Sequence, residues 1–430
     1  MRSKKMQFSN FSRAITSLSS SVRPDNEKEL VTISNFLSPN NSLLARGKGL
    51  SYSDCCVNEG GLVIDTSRLN HLLAFDEATG IVICQGHVTF EDLFLVHPQF
   101  IPPVIPGTLK ATVAGGIAND VHGKNNPHAA SFGRHVQWLD LEIGNQLYHC
   151  SREENSALFK ATIAGLGLTG IITRVALKLC KKSRFVKVQT EKHSTWETLL
   201  SRMQQLALSE DYQVAWFDLL SPPNALLSFA NHCHEEALER KARLSIPSLP
   251  FRLITKWGMK LFNRYHFERA DCSLHIEPLG QFNNPLDSIN HWNRLYGKKG
   301  LLQFQAVFDE KIAITILNKL QEIMQKHATT PTLAVLKYFT QSGMGLLSFV
   351  EPGFTIAIDF INNDSAQTAI REMNAFITEE RGKIYLAKDL FLTDVQFKSQ
   401  YTNYHQFTDT LAQYPHQISS NLGRRLGLVS

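Results

Sequence analysis

Residues 106–136 read PGTLKATVAGGIANDVHGKNNPHAASFGRHV, and the reading of the whole chain turns on what this run is for. It holds five glycines, three histidines and three further basic residues, with few residues that favour regular structure. Glycine reaches φ > 0 freely and has no side chain to block a ligand, so such a run suits close backbone approach. Two other stretches share this chemistry: RGKGLSYSD at 46–54 and AGLGLTGII at 164–172, each mixing glycine with hydroxyl-bearing residues. Successive backbone N–H groups in such loops form concave nests that suit a pyrophosphate. No G-x-G-x-x-G opens a helix after a strand, and no G-x-x-x-x-G-K-[ST] is present, so a dinucleotide held here is not of the Rossmann kind. Taken singly, each loop is also readable as an ordinary turn. The histidines admit a metal reading, since His122 and His128 have a spacing that zinc pairs use. No paired cysteines accompany them, and no metal is expected.

Working outward, the chain has 430 residues, enough for two domains by usual domain size. Hydrophobic residues at 43% and charged residues at 19% describe a globular protein with ample core. A net charge of +5 permits attraction to phosphate or anionic lipid but does not argue for nucleic acid. Seven cysteines without a C-x-x-C pair predict reduced thiols in a cytosolic protein. The basic start MRSKKMQFSNFSRAITSLSS lacks an apolar h-region, which predicts no secretory signal. No window approaches the ~18 uninterrupted apolar residues of a membrane-spanning helix. The expected location is the cytoplasm, with peripheral attachment at the inner membrane as an option.

Up to Lys182, strand-length apolar runs (GLVIDTSRLN, IVICQGHVTF, VQWLDLEIG, GIITRVALKL) alternate with glycine turns and with helical segments at 26–37 and 154–164. Beyond Ser183 longer helical patterns (195–208, 225–242, 311–327, 365–380) interleave with AWFDLL, LLQFQAVF and FTIAIDFI. This pattern predicts an α+β fold in two parts. One segment of the second part combines Phe251, Leu253, Ile254, Trp257, Met259, Leu261 and Phe262 with Arg252, Lys256, Lys260 and Arg264. The spacing predicts a basic amphipathic helix that lies on an anionic membrane surface or packs on the second domain's core.

In order, RGKGLSYSD, GGLVIDTSRLN, the 106–136 run and GLGLTGII resemble the FAD-binding domain of the vanillyl-alcohol-oxidase type flavoproteins, the PCMH-type domain. Within that superfamily the chain is similar to the polyprenyl-phosphoryl-ribose oxidases. The likeness continues through AWFD (215–218), 284–305, PGFTIAIDF (352–360), GKIYLAKD (382–389) and GRRLGL (423–428), nearly the whole chain. The resemblance implies a PCMH-type FAD-binding domain over 1–182, a substrate-binding cap with an antiparallel sheet over 183–375, and a C-terminal segment, 376–430, that completes the active site.

It further implies that Arg46, Gly47, Lys48, Gly49, Leu50 and Ser51 form one wall of the FAD site, with Tyr52 beside the active site. Pro106, Gly107, Thr108, Thr112 and Val113, then Gly115, Gly116, Asn119 and Gly123, form a second wall. Gly167, Thr169 and Ile171 form a third. His122 stands where many relatives carry the histidine bonded to the flavin, but the polyprenyl-phosphoryl-ribose oxidases hold FAD non-covalently, and non-covalent FAD is expected. A buried histidine satisfied by backbone is the plain alternative. Lys124, Gln303, Gln305, Lys337 and Thr355 are implied to line the substrate pocket. Gln303 and Gln305, two apart on a strand, share one face. Trp216 and Phe339 match aromatic positions or are plain core. Lys388, Tyr385 three residues before it and His122 are the implied catalytic residues, with a base at Lys388 or Tyr385 and Lys388 alternatively stabilising charge that develops on the reduced flavin.

The implied reaction is oxidation of a secondary sugar hydroxyl, the 2′-hydroxyl of a polyprenyl-phosphoryl ribose, with a short-chain reductase partner completing epimerisation. The chain departs from the family pattern at Thr355, Ala357 and Asn283, has AGG for GGA and HGKNNP for HGKNHH, and lacks a C-terminal K-x-D-P stretch. A soluble sugar, alditol or aldonolactone is therefore the alternative substrate, and a flavin-binding protein without turnover the second alternative.

Overall fold

The computed structural model describes residues 2–36, 41–221, 224–238, 244–248, 251–414 and 417–429. The first part of the chain builds two sheets. In the smaller, Lys4–Ser9, Thr16–Val22, Leu62–Asp65 and Leu43–Arg46 lie side by side in that order. In the larger, Leu72–Asp76, Ile81–Gln85, Ile171–Lys178, Val136–Ile143 and Gln146–Ser151 pair antiparallel. The runs read as strands from the sequence all fall in these sheets.

The glycine loops lie between these strands and touch one another. Thr112 caps the short helix Val113–Ala118, its Oγ1 accepting from Gly115 N at 3.1 Å. A Cβ on Gly47 would stand 2.6 Å from Thr112 Oγ1, so the first loop meets the second only because residue 47 has no side chain. Gly116 backs onto Phe90, whose ring a Cβ would meet at 2.9 Å. The third loop is bonded to the helix's end, Ala164 N donating to Ile117 O at 2.9 Å and Leu166 N to Ala118 O at 2.7 Å. Three stretches distant in sequence thus form one continuous surface.

The chain changes sheets between Lys181 and Phe185. An eight-stranded antiparallel sheet follows, in the order His275–Pro278, Phe185–His193, Ala225–Cys233, Tyr212–Phe217, Pro331–Phe339, Gly353–Ile361, Leu301–Phe308 and Lys383–Ile384. Alternation divides its faces. Phe304, Ala306, Phe308, Leu336, Ile356, Ile358 and Phe360 point to one side and are buried against Leu199, Met203, Ile316, Leu320, Ile370 and Met373. Those partners come from the helices Trp196–Leu206, Ala313–Lys326 and Asp364–Glu379. Each such side chain contributes roughly 1.5–3 kcal/mol by leaving water. The opposite face carries Gln303, Gln305, Lys337, Thr355 and Asp359, as the strand registers require.

Two expected helices differ. The helix expected at 225–242 is the strand Ala225–Cys233, paired over its whole length with Phe185–His193; residues 239–242 lie outside the described part. Leu227 and Phe229 belong to the apolar side of the sheet, so pairing and burial override the local helical pattern. The segment expected as a helix over 26–37 winds as a 3₁₀ helix, Glu27–Phe36, with Leu37 outside the described residues. Its β-branched Val31, Thr32 and Ile33 disfavour an α-helical winding. The division expected at 375/376 falls inside the helix Asp364–Glu379.

The C-terminal part returns to the first. Arg425 donates to both carboxylate oxygens of Asp54, at 3.0 and 2.8 Å, and to Asp389 Oδ2 at 3.0 Å and Leu392 O at 2.7 Å. This ties the segment after the first glycine loop to the residue following Lys388. Removing one partner from a buried ionic triad strands the others, at about 3–5 kcal/mol. Arg425→Met is expected to lower stability by that amount in urea unfolding and Arg425→Lys to lose part of it. Wild-type stability in Arg425→Met would show that the network is not a structural tie.

Candidate active site

The segment carrying Lys388 is held from two sides. Tyr385 N donates to Gln305 O at 2.9 Å, continuing the pairing of Lys383–Ile384 with Leu301–Phe308, and Lys388 N closes a turn onto Tyr385 O at 2.9 Å. On the other side, Tyr52 N and Ser53 N both donate to Ala387 O, at 3.1 and 3.2 Å. The residues after the first glycine loop are therefore bonded to the backbone beside Lys388. Its Nζ stands 3.8 Å from the centre of the Tyr52 ring, a cation–π distance.

His122 is buried at 7% exposure and meets Gln305, Nε2 to Nε2, at 3.0 Å. With the Gln305 amide donating, the imidazole accepts at Nε2 and carries its proton on Nδ1. Burial first, and then the nearby charges of Lys337 and Lys388, hold its pKa well below the ordinary histidine value, so the ring stays neutral. Phe339 lies edge-on at 4.9 Å and Tyr385 at 5.6 Å, while Phe349 stacks on Tyr385 at 4.7 Å. The Tyr385 hydroxyl donates to Asn119 O at 3.0 Å. His122 and His128 do not form a joint site. His128 is exposed and bonds Glu210 O at 2.9 Å, and His135 bonds Ala129 O at 2.8 Å.

Three amines share this region with two carboxylates, Asp359 near Lys388 and Glu277 near Lys124. Burial lowers Lys124 to about 7 and Lys337 to about 8. It also pulls Lys388 down, with Asp359 opposing the shift and Lys337 adding to it. Lys124 Nζ donates to Phe282 O and lies 4.4 Å from the centre of that ring. Asp359, at 1% exposure, accepts from Gln303 Nε2 through Oδ1. Its other oxygen has no partner among the described residues, and burial pushes its pKa up. Thr355 Oγ1 is 3.4 Å from the Gln305 amide. The sequence reading missed Asp359, although residues 355, 357 and 359 share a strand face by parity. Phe349, on an irregular segment, offered no signal.

The remaining loop residues divide into two kinds. Arg46 is committed to the loop's own frame, donating to Ser9 O at 2.8 Å and to Cys56 O, beneath Gly49 at φ 64°. Thr108 is bonded through Oγ1 to Asp287 at 2.9 Å, and Pro106 O accepts from Asn284 at 2.7 Å, so these two tie the loop to the second part of the chain. Ser51 O accepts from Phe11 N, and Val113 N donates to Val88 O. Gly123 packs against Asn125 and Ile105. Thr169 and Ile171 are buried, whereas Lys48 is exposed and Leu50 half-buried. By contrast, a Cβ on Gly107 or Gly167 would meet nothing within 4 Å. Asn119 Oδ1 and His122 Nδ1 are buried without a partner among the described residues. Open glycine backbone, a capped helix start and orphaned polar atoms fit a bound nucleotide with a polar ring system.

Three joined glycine loops thus lie beside a sheet face that carries amides and amines. Residues 19–144 match the family model described as an FAD binding domain. The chain is 30% identical over 413 residues to the decaprenylphosphoryl-β-D-ribose oxidase of Mycolicibacterium smegmatis, covering 90% of this chain and 89% of that one. It is 26% identical to an uncharacterized Streptomyces coelicolor protein over 76% of this chain and 95% of the relative. It is 29% identical to a putative D-arabinono-1,4-lactone oxidase of Neurospora crassa, over 31% of this chain and 24% of that one. The chain belongs to the PCMH-type FAD-linked oxidoreductases, in the family of the decaprenylphosphoryl-β-D-ribose oxidase. It is an FAD-dependent enzyme.

Two glycines test the cradle differently. Gly49→Ala forces a side chain into positive φ, at about 1–2 kcal/mol, and against the Arg46 guanidinium; lower stability and less bound FAD are expected together. Gly107→Val should leave the unfolding midpoint of the FAD-free protein unchanged while weakening FAD retention roughly tenfold, about 1.4 kcal/mol. Undiminished FAD content in Gly107→Val would remove that residue from the cradle.

Proposed function

We propose that the protein oxidises a secondary hydroxyl of a sugar to a ketone, the 2′-hydroxyl of a polyprenyl-phosphoryl ribose-like substrate. The observation that carries this reading is the convergence of Lys337, Asp359 and Gln305 on one sheet face with Lys388 and Lys124 from neighbouring loops, beside His122. Three amines against two carboxylates, Asp359 and Glu277, leave a site with an excess of basic groups, suited to a phosphorylated substrate. The name and extent of the Mycolicibacterium smegmatis relative support the same substrate class. In this reading residues 1–182 bind FAD, 183–375 cover the substrate and 376–430 complete the site.

The first loop, Gly107, the Thr112-capped helix start and Gly167 hold the cofactor, without a covalent bond. FAD, when bound, supplies the two-electron acceptor for the hydride leaving the carbinol carbon. Lys388 takes the hydroxyl proton. Its lowered pKa makes the free amine accessible near neutral pH, and the ammonium that forms is stabilised by Asp359. Gln303 holds that carboxylate in place. Lys124 and Lys337 bind phosphate, which draws both back toward full charge. Tyr385 fixes the loop through Asn119, and neutral His122 orients Gln305. The ketone product then passes to a reductase partner of the short-chain class.

The second reading, a soluble aldonolactone, alditol or sugar, is favoured by Thr355 and Ala357 on the substrate face and by the lactone-oxidase relatives. Anaerobic mixing with a polyprenyl-phosphoryl pentose, against free pentose and aldonolactone, tests the choice. Bleaching of the flavin by the phosphorylated pentose alone is expected, and bleaching by aldonolactone alone would overturn the first reading. Acid precipitation should release the flavin.

Lys388→Met should keep FAD and slow substrate-driven reduction by about 10²–10⁴, the usual worth of a general base; wild-type bleaching by this variant would remove the role. The rate of reduction should rise with pH along an acid limb lying well below the ordinary lysine value of about 10.4. Asp359 favours the protonated amine, so Asp359→Asn should shift this limb to lower pH. A pH-independent rate would make Lys388 a stabiliser of charge and not a base.

A further inference from the structure

The helix Lys256–Glu268 presents its apolar residues to solvent. Trp257 is 73% exposed, Tyr265 65%, Phe262 55% and Leu261 50%, values far outside those of packed aromatic and aliphatic side chains. Phe251 and Leu253, just before the helix, are exposed as well. At 100° per residue, Trp257, Leu261, Tyr265 and Phe262 fall on one continuous outer face. The remaining sides anchor the helix, His266 standing at the border, where its ring also stacks on Phe262 at 5.8 Å. Asn263 is its one buried residue and donates to Asp218 Oδ1 at 2.7 Å, and His266 lies edge-on to Trp216 at 4.7 Å. Thr255 caps the start by accepting from Gly258 N at 3.1 Å, so Gly258 sits in the first turn, where helical winding is easiest to interrupt and the cap supports it.

Charge lies along the edge of the same outer face. From Phe251 to Arg269 the chain carries Arg252, Lys256, Lys260, Arg264 and Arg269 against Glu268 alone. Lys256, Lys260 and Arg264 follow one another at four-residue steps between the aromatic face and the anchored one, Arg264 being paired with Glu268 at 2.8 Å. No helix among the described residues is long and apolar enough to cross a membrane, so a helix of this kind lies on a surface and does not span it. Its position is also particular. Ile254 packs on the cluster that contains Tyr52, whose ring lies under Lys388. At the other end, His266 touches Trp216, on the same sheet face as Lys337 and Thr355 by register. The helix therefore bridges two borders of the candidate active site.

We infer that residues 251–268 dock the enzyme on an anionic lipid bilayer, with Trp257, Leu261, Phe262 and Tyr265 entering the headgroup region and the cations meeting lipid phosphates. This seats the mouth of the site at the membrane surface, where a substrate with a polyprenyl tail resides. The inference rests on the helix alone for its geometry and on the proposed lipid-linked substrate for its purpose.

The test is co-sedimentation of the FAD-loaded enzyme with vesicles of equimolar phosphatidylglycerol and phosphatidylcholine, and with phosphatidylcholine alone. Binding to the anionic vesicles, weakened at about 0.5 M salt where the Debye length falls to a few ångström, is expected, with a blue shift of Trp257 emission. Trp257→Ser/Phe262→Ser and Lys256→Glu/Lys260→Glu should each reduce the bound fraction roughly tenfold or more. FAD content and thermal midpoint of both variants should match the wild type, which separates loss of docking from misfolding. No binding of the wild type, or binding unchanged in both variants, would overturn the inference. So would sedimentation velocity showing that the aromatic variant turns a dimer into a monomer while neither form binds vesicles, since the face would then be a contact with a second copy. Vesicle binding together with turnover of a soluble lactone would keep the docking surface and overturn the substrate reading.

Discussion

The position of Lys388 depends on Arg425. A guanidinium reaches Asp54 on one side and Asp389 on the other, and these two carboxylates belong to the segment after the first glycine loop and to the residue following Lys388. Nearby charges hold Arg425 firmly protonated against the effect of burial. Two anions near a single cation would repel if the cation were lost, so the network defines the joint as much as it stabilises it. Because Tyr52 and Ser53 also donate to Ala387 O, the flavin-binding part and the amine-bearing loop are sewn together by backbone and by charge at one point. The C-terminal segment, whose residues touch neither loop by sequence proximity, is what closes this joint.

The eight-stranded sheet divides structural work from chemical work by parity. Even-numbered residues of Leu301–Phe308 and Gly353–Ile361 fill the core under three helices, while odd-numbered ones carry Gln303, Gln305, Thr355 and Asp359. On Pro331–Phe339 the same face carries Lys337 and Phe339. A shift of one residue in register would exchange the two sets, burying amides and a carboxylate among Phe and Ile. The apolar side, worth far more in total, therefore holds the polar side in place. Burying several amines with fewer carboxylates is unfavourable in itself, which is why their pKa values fall.

The glycine loops were legible because backbone permissiveness has few other uses when repeated three times in one region. Their physical contact was not, since it depends on Gly47 meeting Thr112 and on Ala164 bonding Ile117. Lys388, Tyr385, His122 and Gln305 came from resemblance, and the structure brings these four together. Asp359 shares a strand face with Thr355 and Ala357 by parity, but that its carboxylate lies near Lys388 depends on the C-terminal segment folding back onto the sheet. The strand Ala225–Cys233 was misread because its pattern suits a helix locally. Only the neighbouring strands, far away in sequence, supply the pairing that decides it. The amphipathic segment was read correctly as amphipathic, yet sequence alone left open whether its apolar face turns inward.

That last distinction follows from what the helix has beneath it. The side facing the sheet offers Asp218 and Trp216, which meet Asn263 and His266, while Met259 and Phe267 are half-buried beside them. With Asn263, Met259 and Phe267 occupying the inner side, Trp257, Leu261, Phe262 and Tyr265 face outward, and each remains exposed at a level a lone surface residue would tolerate but a contiguous patch rarely does. The same inner contacts join the helix to the sheet face that carries Lys337 and Thr355. Any surface that covers the patch therefore also borders the candidate site, so what the helix meets and what the site admits are set by one piece of geometry.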